Sequence, residues 1–483
     1  MPSKTPDIIA IPRWSHQRPS LSPESLVKLQ QATLTVLDDI GVHIPSQRAR
    51  EIFGSHGARV GDDDVVRLDP DLVRAALAAA PRSFVLAGRE ERLDLVLDGA
   101  NTYLTTEGVG VSVVDIGSSE PRASRKADVE LMARIADALP LIAFYWPMVS
   151  AQDHGRAAPV HECHACLTNT AKHARGGTTM DPRLAAYVVE MATVVAGDTT
   201  ELRRRPPICG ITCPVAPLAH DPHGLECALL YASKGIPVGF AAMNSPGKDA
   251  PASWAAAVVQ ADAEVVSGMV LLQLAYPGAP VFHSLMISQM DPHSGGYLGE
   301  PPAPCEAIAS QLAHAWGVPS LNGGYPGATD AIDLTWESGL TTGAGAAMIW
   351  TAAGEIGAYL GLTGGAMRLY PEYLVLQHEA YMQIACKFAD LKVSEESLAL
   401  DVLGDVGPRG FFLKHSHTRQ HLRDFRLPLW LRQPGRQMSA REAAVEEFRR
   451  LEREHHPQVV PDDVRAELDR IVAAADRTAA TLA

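Results

Sequence analysis

The sequence is poor in positive charge for its length. Its 483 residues include 42 Lys and Arg against 56 Asp and Glu, a net charge of −14. Nucleic-acid-binding proteins present a basic face, so we expect no nucleic-acid partner. The seven cysteines are an odd number and lie mostly inside apolar runs, which argues against a disulfide framework and predicts a reducing, cytoplasmic environment. The opening stretch MPSKTPDIIAIPRW lacks the apolar core of a signal peptide.

A long apolar stretch without charge is also absent. The longest apolar run, residues 254–276, carries Asp262 and Glu264 near its centre. Charged side chains are costly inside a bilayer, so this run predicts a buried helix, and we expect no membrane association. Hydrophobic residues make up 46% of the chain, which is enough for a large globular core.

The stretch HECHACLTNTAKHARGG, residues 161–177, has some features of a metal site. It offers four metal-ligating side chains within six residues: His161, Cys163, His164 and Cys166. Helical zinc proteases need two His at positions i and i+4, whereas these are at i and i+3. Structural zinc needs a second ligand pair at a suitable spacing, which Cys209 and Cys213 do not supply. The stretch instead predicts a helix with small buried thiols, and we expect no bound metal.

The order of predicted elements indicates three regions. Residues 1–120 predict a small α/β extension, and residues 391–483 predict a charged helical extension. Residues 121–390 alternate apolar, strand-like runs with helices, which predicts a parallel sheet covered on both faces. We expect strands at 141–150, 173–179, 206–218, 235–244, 278–287, 318–325, 346–354 and 364–370, and helices at 183–196, 224–234, 254–276, 303–316 and 333–344.

The number of these units indicates the fold. About eight strand and helix units in roughly 250 residues indicate a closed (β/α)8 TIM barrel. The competing fold, an open doubly wound sheet, would show a Gly-x-Gly-x-x-Gly turn after its first strand, and the sequence has none. We therefore expect an α/β protein in which a TIM barrel carries the N-terminal α/β extension and the C-terminal helical extension.

Barrel enzymes bind substrates at the carboxyl ends of their strands. Side chains at or near the predicted ends form a candidate substrate site: Trp146, His283, Asn322, Tyr325, Trp350, Thr351, Glu355 and Tyr370. Aromatic residues are only 6% of the chain. Their concentration at these ends indicates a cage for a quaternary ammonium, which aromatic faces attract through cation–π interactions. Simple filling of the barrel mouth is the alternative for each ring, and a buried core histidine is the alternative to an acid–base role for His283.

Several stretches carry a family resemblance, among them ATLTVLDDIGVHI, ECHACLTNTAKH, PCEAIASQLAHAWGVPS, GATDAIDLTWESG and FFLKHSHTRQHLRDFRLPLW. They resemble the trimethylamine methyltransferase family, and the likeness runs from about residue 24 to residue 432. The resemblance implies a barrel that takes a methyl group from a methylated amine or betaine and passes it to the cobalt(I) of a corrinoid. The corrinoid is carried by a separate small protein, so the implied partners are that protein and the amine, with no tightly bound cofactor. A homo-oligomer is left open.

Two differences from the usual family sequence indicate which branch of the family this chain resembles. Trimethylamine-using members carry pyrrolysine, a lysine derivative, at the barrel site, but this chain has no lysine between Lys248 and Lys387. It therefore resembles the non-pyrrolysine branch, which includes a glycine betaine–corrinoid methyltransferase. Members of that branch often have Leu-His-Ala-Ala-Gly where this chain has WTAAG, so Thr351 replaces a histidine and Trp350 adds a ring. This change favours a quaternary ammonium or sulfonium donor other than glycine betaine.

Two functional hypotheses follow. The first is corrinoid-dependent demethylation of a betaine-like quaternary ammonium donor. The second is a non-catalytic or divergent barrel that only binds a small methylated cation or sulfonium compound. A third hypothesis, a metal-dependent barrel hydrolase, lacks the His-x-His of an early strand.

The first hypothesis has a consequence for acidic side chains. The ammonium charge disappears as the methyl group leaves, so a carboxylate against the nitrogen would stabilise the substrate more than the transition state. We therefore expect four carboxylates to make no contact with the ammonium: Asp330, Asp333, Glu337 and Glu355. At most, Glu355 or Asp330 would orient a polar tail of the donor or a neighbouring backbone loop.

Overall fold

The computed structural model describes residues 2–13, 19–177, 180–299, 304–321, 329–352, 354–388, 391, 393–425, 427–432 and 438–482. Over these residues the protein has a mixed α/β fold, in which many helices surround one curled sheet. The α/β class predicted from the sequence is confirmed.

Seven short parallel strands form the curled sheet. Their order is Ile356–Leu360, Asn101–Thr106, Ile142–Tyr145, His173–Arg175, Ile208–Thr212, Val238–Ala242 and Val281–Leu285. Single parallel bridges continue the sheet from His283 to Ser320 and from Leu321 to Ile356. Nearly every described side chain in these strands is buried, because helices cover the sheet from outside. The parallel direction places the carboxyl ends of all seven strands at one edge.

Shorter strands lie around this sheet. Ile11–Pro12 pairs antiparallel with Asn101–Thr106 at its edge. The remaining strands form small separate sheets: Val42–His43, Arg59–Val60 and Val65–Arg67; Phe84–Leu86 and Leu95–Leu97; Ser112–Val114, Pro121–Ala123, Leu362–Thr363 and Arg368–Leu369; and Gln289–Met290 and Tyr297–Leu298.

Many helices begin in the same way. A capping Ser or Asp is followed at once by proline at Ser22, Asp69, Asp181 and Asp221, and each capping side chain accepts a hydrogen bond from a backbone N–H of the first turn. The α-helices of six or more residues are Pro23–Thr35, Gln47–Ser55, Pro70–Ala78, Lys126–Ala138, Ala158–Asn169, Pro182–Ala196, Thr199–Arg204, Pro222–Ser233, Trp254–Ala275, Cys305–Trp316, Trp336–Ala352, Tyr373–Phe388, Leu400–Val406, Ala440–Glu454 and Asp462–Ala479.

The five helices predicted between the strands are all present, but two predicted strands are wrong. Residues 346–352 belong to the helix Trp336–Ala352, and the strand follows at Ile356–Leu360. The run LTTGAGAAMIWTA is apolar and rich in Gly and Ala, so its sequence resembles a buried strand. Its small side chains instead suit close packing of the helix against Tyr373–Phe388. The predicted strand 364–370 contains only the two-residue strand Arg368–Leu369.

The first parallel strand lies earlier than the expected domain boundary. Asn101–Thr106 pairs with Ile142–Tyr145 and with Ile356–Leu360, although the sequence placed residues 1–120 in the N-terminal extension. The division into 1–120, 121–390 and 391–483 stays a prediction. The C-terminal region is helical as expected, with Ala440–Glu454 and Asp462–Ala479 as its main helices.

The helix Trp254–Ala275 is long and apolar enough to cross a membrane, but 83% of its most apolar window is buried inside the fold. Its central charge is compensated by neighbours. The carboxylate of Asp262 accepts hydrogen bonds from Thr33 at 2.6 Å and Trp316 at 3.1 Å, and lies 2.8 Å from Nε2 of His283. The predicted buried helix is confirmed.

Candidate functional site

A cavity of about 870 Å³ opens at the edge where the carboxyl ends of the parallel strands meet. Six consecutive strands each contribute the residue that ends the strand or follows it: Glu107, Trp146, Arg175, Cys213, Met243 and Met286. Loop residues complete the lining, among them Tyr297, Asp330, Ile332 and the run 364–367. The parallel topology therefore brings together side chains that are far apart in sequence.

Three buried side chains form what we call the floor of the cavity: Glu107, Trp146 and Arg175, which are 6%, 4% and 1% exposed. The guanidinium of Arg175 lies over the indole of Trp146, with its Cζ atom 4.2 Å from the ring centroid. Thr106 fixes the backbone of Trp146, because its Oγ1 donates to the Trp146 carbonyl at 2.7 Å and accepts from the Trp146 N–H at 2.8 Å. Tyr359 packs edge-on against the indole at 5.5 Å between centroids. The floor is thus a rigid arrangement of a cation on an aromatic ring.

The Nε and Nη2 atoms of Arg175 have no hydrogen-bond partner among the described residues. Two acids lie near enough to act on it electrostatically, Glu107 and Glu162. Each makes its hydrogen bonds elsewhere: Oε1 of Glu107 accepts from the N–H of Gly108 at 3.1 Å, and Oε1 of Glu162 accepts from the Ser150 hydroxyl at 2.8 Å. Arg175 is therefore a buried cation whose donors are not satisfied by these acids.

Burial sets the charge of the floor. It raises the pKa of Glu107 to about 8, because the N–H of Gly108 and the charge of Arg175 compensate only part of the lost hydration. It also lowers the pKa of Arg175, but an arginine stays charged at neutral pH. At pH 7 the floor is therefore positive, with Glu107 largely protonated.

The mouth of the cavity is apolar. Four exposed side chains form what we call the rim: Met243, Tyr297, Ile332 and Met367, which are 43%, 39%, 70% and 49% exposed. Asp330 lies beside them, and its two carboxylate oxygens accept from the N–H of Gly299 at 2.8 and 2.9 Å. As expected from the sequence, this carboxylate orients a backbone loop.

Comparison with known proteins decides the family. The sequence profile of the family described as Trimethylamine methyltransferase (MTTB) matches residues 7–476 of this chain. The chain belongs to the trimethylamine methyltransferase family. Within it, the chain is 31% identical to Trimethylamine methyltransferase MttB of Desulfitobacterium hafniense (strain DSM 10664 / DCB-2), over 93% of this chain and 92% of that protein. It is 27% identical to the Glycine betaine methyltransferase of Desulfitobacterium hafniense (strain Y51), over 84% of this chain and 85% of that protein.

Among solved structures, the Methanosarcina barkeri monomethylamine methyltransferase (MtmB) aligns with this chain at a TM-score of 0.45 and 14% identity. The alignment covers 93% of this chain and 92% of that one. The resemblance to the trimethylamine methyltransferase family that the sequence indicated is confirmed by the family match and these relatives.

In this family member, the structure describes six of the eight predicted site residues, and of these Trp146 lines the cavity. Asn322 and Tyr325 lie outside the described residues. His283 points away from the cavity, because its Nε2 lies 2.8 Å from Asp262 on the helix Trp254–Ala275. It is fully buried, which agrees with the alternative of a core histidine.

Trp350 and Thr351 lie on the helix Trp336–Ala352 instead of at a strand end. The Trp350 ring stacks on Phe388 at 5.0 Å and 13°, inside the hydrophobic core. Thr351 is exposed and donates to the carbonyl of Met348 at 2.8 Å. Their placement corrects the expected cage, which depended on a strand at 346–354.

Glu355 and Tyr370 serve other parts of the fold. Glu355 precedes the strand Ile356–Leu360, so it lies at the amino edge, opposite the cavity. Burial disfavours its charge, but hydrogen bonds from His314 at 2.8 Å and Ser320 at 2.7 and 2.9 Å hold its pKa below the usual value. Tyr370 packs behind the rim, and its hydroxyl donates to the carbonyl of Ile332 at 3.2 Å.

The Cys and His side chains of residues 161–166 lie on the helix Ala158–Asn169, as predicted. Cys163 and Cys166 are fully buried in the core, and burial raises the pKa of the Cys163 thiol to about 12. His161 and His164 face the C-terminal helix Asp462–Ala479, where each Nε2 lies 2.8 Å from a carboxylate, Asp476 and Asp469 respectively. The helix thus joins the C-terminal region to the sheet layer.

Sequence reasoning missed the floor residues Glu107 and Arg175. Glu107 was assigned to the extension, and Arg175 was inside the predicted strand 173–179. A usable signal was present for Arg175, since HARGG places an arginine just before two glycines, where a strand tends to end. A charged residue at a strand's carboxyl end is a candidate for a site in a parallel α/β fold.

Proposed function

We propose that this protein transfers a methyl group from a betaine-like quaternary ammonium donor to the cobalt(I) of a corrinoid carried by a separate protein. Family membership supports methyl transfer from a methylated amine, since the relatives act on trimethylamine and glycine betaine by name. The observation that carries the proposal is the cavity at the strand ends, with a buried floor and an exposed apolar rim.

We propose in addition that the curled sheet closes as a (β/α)8 barrel. The single bridges from His283 to Ser320 and from Leu321 to Ile356 support closure, because they link the last strand of the sheet back to the first in order. A closed barrel leaves one accessible end for the chemistry, the end at which the cavity lies.

The rim suits a corrinoid approaching on its carrier. The exposed side chains of Met243, Tyr297, Ile332 and Met367 offer an apolar surface to a flat macrocycle, and Gly364 and Gly365 add no side chain that would block it. A corrinoid supplies cobalt(I), a strong nucleophile, so this chain need not provide a nucleophile of its own.

The residues of the chain then have to hold the donor and exclude water. As the methyl group leaves, the carbon–nitrogen bond breaks with its electron pair on nitrogen, and a neutral tertiary amine departs without a proton transfer. No acid–base residue is required, which fits the buried position of His283. A largely protonated Glu107 does not hold the ammonium in its ground state, so it imposes little penalty on the step.

The direct test is spectroscopic. The protein is incubated with a reduced corrinoid protein and a panel of betaines, and the cobalt spectrum is followed together with the amine product. We expect conversion of cobalt(I) to methylcobalt in step with demethylation of one donor. Donor binding without any cobalt change would support the non-catalytic hypothesis instead.

A matched pair of variants tests the rim. Ile332→Lys places a charge on the rim and should slow transfer, whereas Val27→Lys, on the helix Pro23–Thr35 and 63% exposed, should not. Equal rates for the two variants would remove the rim from the proposed docking of the corrinoid.

We also propose that the protein is a homo-oligomer. The segment 393–432 exposes large apolar side chains at many positions, including Val393, Leu400, Phe411, Leu413 and Phe425 at 67–69%. Between residues 407 and 432 it holds six Lys and Arg against one Asp, in a chain of net charge −14. A second copy offers both the apolar and the acidic surface that this segment complements.

The oligomer is tested by light scattering after gel filtration. We expect a defined oligomer that dissociates in Phe411→Glu and persists in Val27→Glu. A wild-type monomer at micromolar concentration would reject it. A cytoplasmic location remains part of the proposal, and it fits seven cysteines that are all free thiols.

A further inference from the structure

Arg175 is the floor residue whose charge is not balanced by a hydrogen-bonded acid among the described residues. It ends the strand His173–Arg175, is 1% exposed, lines the cavity, and has no hydrogen-bond partner at Nε or Nη2 among the described residues. A buried charge without a partner is strongly unfavourable, so such a group is expected to meet an anion in the working complex.

The neighbouring acids do not supply that anion. Glu162 is held by the Ser150 hydroxyl and the Ala151 N–H, at 2.8 and 3.1 Å. Glu107 is held by the Gly108 N–H, and no hydrogen bond joins it to Arg175. The guanidinium is instead held by its contact with the Trp146 ring, and its Nε and Nη2 atoms are buried without a protein acceptor.

We propose that Arg175 binds a carboxylate of the methyl donor, so that the donor is a zwitterion with its anionic end on the floor and its quaternary ammonium directed to the rim. This inference rests on the proposed function and names the substrate class for the same cavity. An ammonium group placed on the floor would instead face the positive charge of Arg175, which is unfavourable.

The orientation agrees with the direction of the chemistry. A separate carrier protein can reach the donor only from the mouth, where the rim side chains are exposed. A donor anchored by its carboxylate at the buried end presents its N-methyl groups to that mouth. Compounds that carry the ammonium without an anion, such as choline or tetramethylammonium, lack the anchor and are poor donors.

The test compares probes that carry the anion with probes in which it is masked. They are trimethylammonio carboxylates with one to four methylene groups between nitrogen and carboxylate, and the methyl ester of each. Binding to the full-length protein is measured by isothermal titration calorimetry. We expect one acid to bind at least about 30-fold more tightly than its ester, the size of effect that loss of one partner of a buried charge pair produces.

Variants of Arg175 check that the preference arises there. Arg175→Met should abolish the preference for acid over ester, and Arg175→Lys should keep part of it. Arg183→Met is the matched control, because Arg183 lies on the surface, 64% exposed and paired with Asp181, and it should bind like wild type. If Arg175→Met does not fold by circular dichroism, Arg175→Lys takes its place in the comparison, and equal binding of acid and ester to wild type still overturns the proposal.

The outcomes separate this inference from the proposed function. Equal binding of acids and esters to wild type, no binding of any acid, or an unchanged acid preference in Arg175→Met would each overturn the inference. Methyl transfer to cobalt from choline or tetramethylammonium would overturn it while leaving the function intact. Arg175-dependent acid binding without methyl transfer would support the inference and contradict the proposed function.

Discussion

The guanidinium of Arg175 lies over the indole ring of Trp146, 4.2 Å from its centroid. One face of this ring is therefore already engaged by a cation of the protein itself. The aromatic cage expected from the sequence would have used the same ring for the ammonium of the donor. In the folded protein, Trp146 acts first as the support that orients Arg175.

Replacing Trp146 should weaken donor binding through Arg175. In Trp146→Leu we expect a loss of roughly 0.5–2 kcal/mol in the affinity for a trimethylammonio carboxylate, the range of a cation–π contact. Calorimetry measures it. Trp146→Phe keeps an aromatic face and should lose less, and an affinity in Trp146→Leu equal to that of wild type would remove the ring from this role.

Trp350 should affect stability instead of binding. Its ring stacks on Phe388 within the core, so Trp350→Ala should lower the free energy of unfolding by about 3–5 kcal/mol, as for other large aromatic truncations. Trp336→Ala, on the same helix and 79% exposed, should change it by less than about 0.5 kcal/mol. Denaturant titration compares the two. Weaker donor binding in a stable Trp350→Ala protein would show that Trp350 contributes to the donor site.

Carboxylate binding should depend on pH through Glu107. Its pKa is raised to about 8, so below that pH the side chain is neutral and Arg175 is available. Above it, the ionised Glu107 repels the donor carboxylate and competes for Arg175, and affinity should fall as pH rises through about 8. Burial raises the pKa of Tyr359 and of Cys213, so neither becomes charged in this range. Burial also raises the pKa of Glu162, whose charge acts on Arg175, so Glu162 is the other acid to which such a fall could belong. Glu107→Gln should remove the pH dependence, and a fall that persists in this variant would assign it to another group.

We expect no stoichiometric zinc on the set His161, Cys163, His164 and Cys166, because zinc binds the thiolate and burial raises the pKa of Cys163 to about 12. A different trio lies close together at the edge of the helix, since ligand atoms of His154, His161 and Asp476 are within 4.8 Å of one another. Elemental analysis of wild type, Cys163→Ser and Asp476→Asn separates the two places. Zinc lost in Cys163→Ser but kept in Asp476→Asn would contradict the prediction.

The sequence by itself determined the local structure and the family. Ser or Asp before proline specified where many helices begin, because that pair satisfies free backbone N–H groups and presets the first turn. The spacing of the Cys and His at residues 161–166 argued against a metal site, and the helix predicted for that stretch is present at Ala158–Asn169. The resemblance to the methyltransferase family came from stretches spread along nearly the whole chain, and the family match at residues 7–476 agrees with it.

Only the tertiary structure decided which side chains share the cavity. The apolar run before Ala352 has the composition of both a buried strand and a buried helix, and contact with Tyr373–Phe388 selects the helix. That single difference moved Trp350 into the core and Glu355 to the opposite edge. Glu107 and Arg175 meet because parallel strands bring their carboxyl ends to one edge, a relation between strands that the periodicity of each strand does not contain.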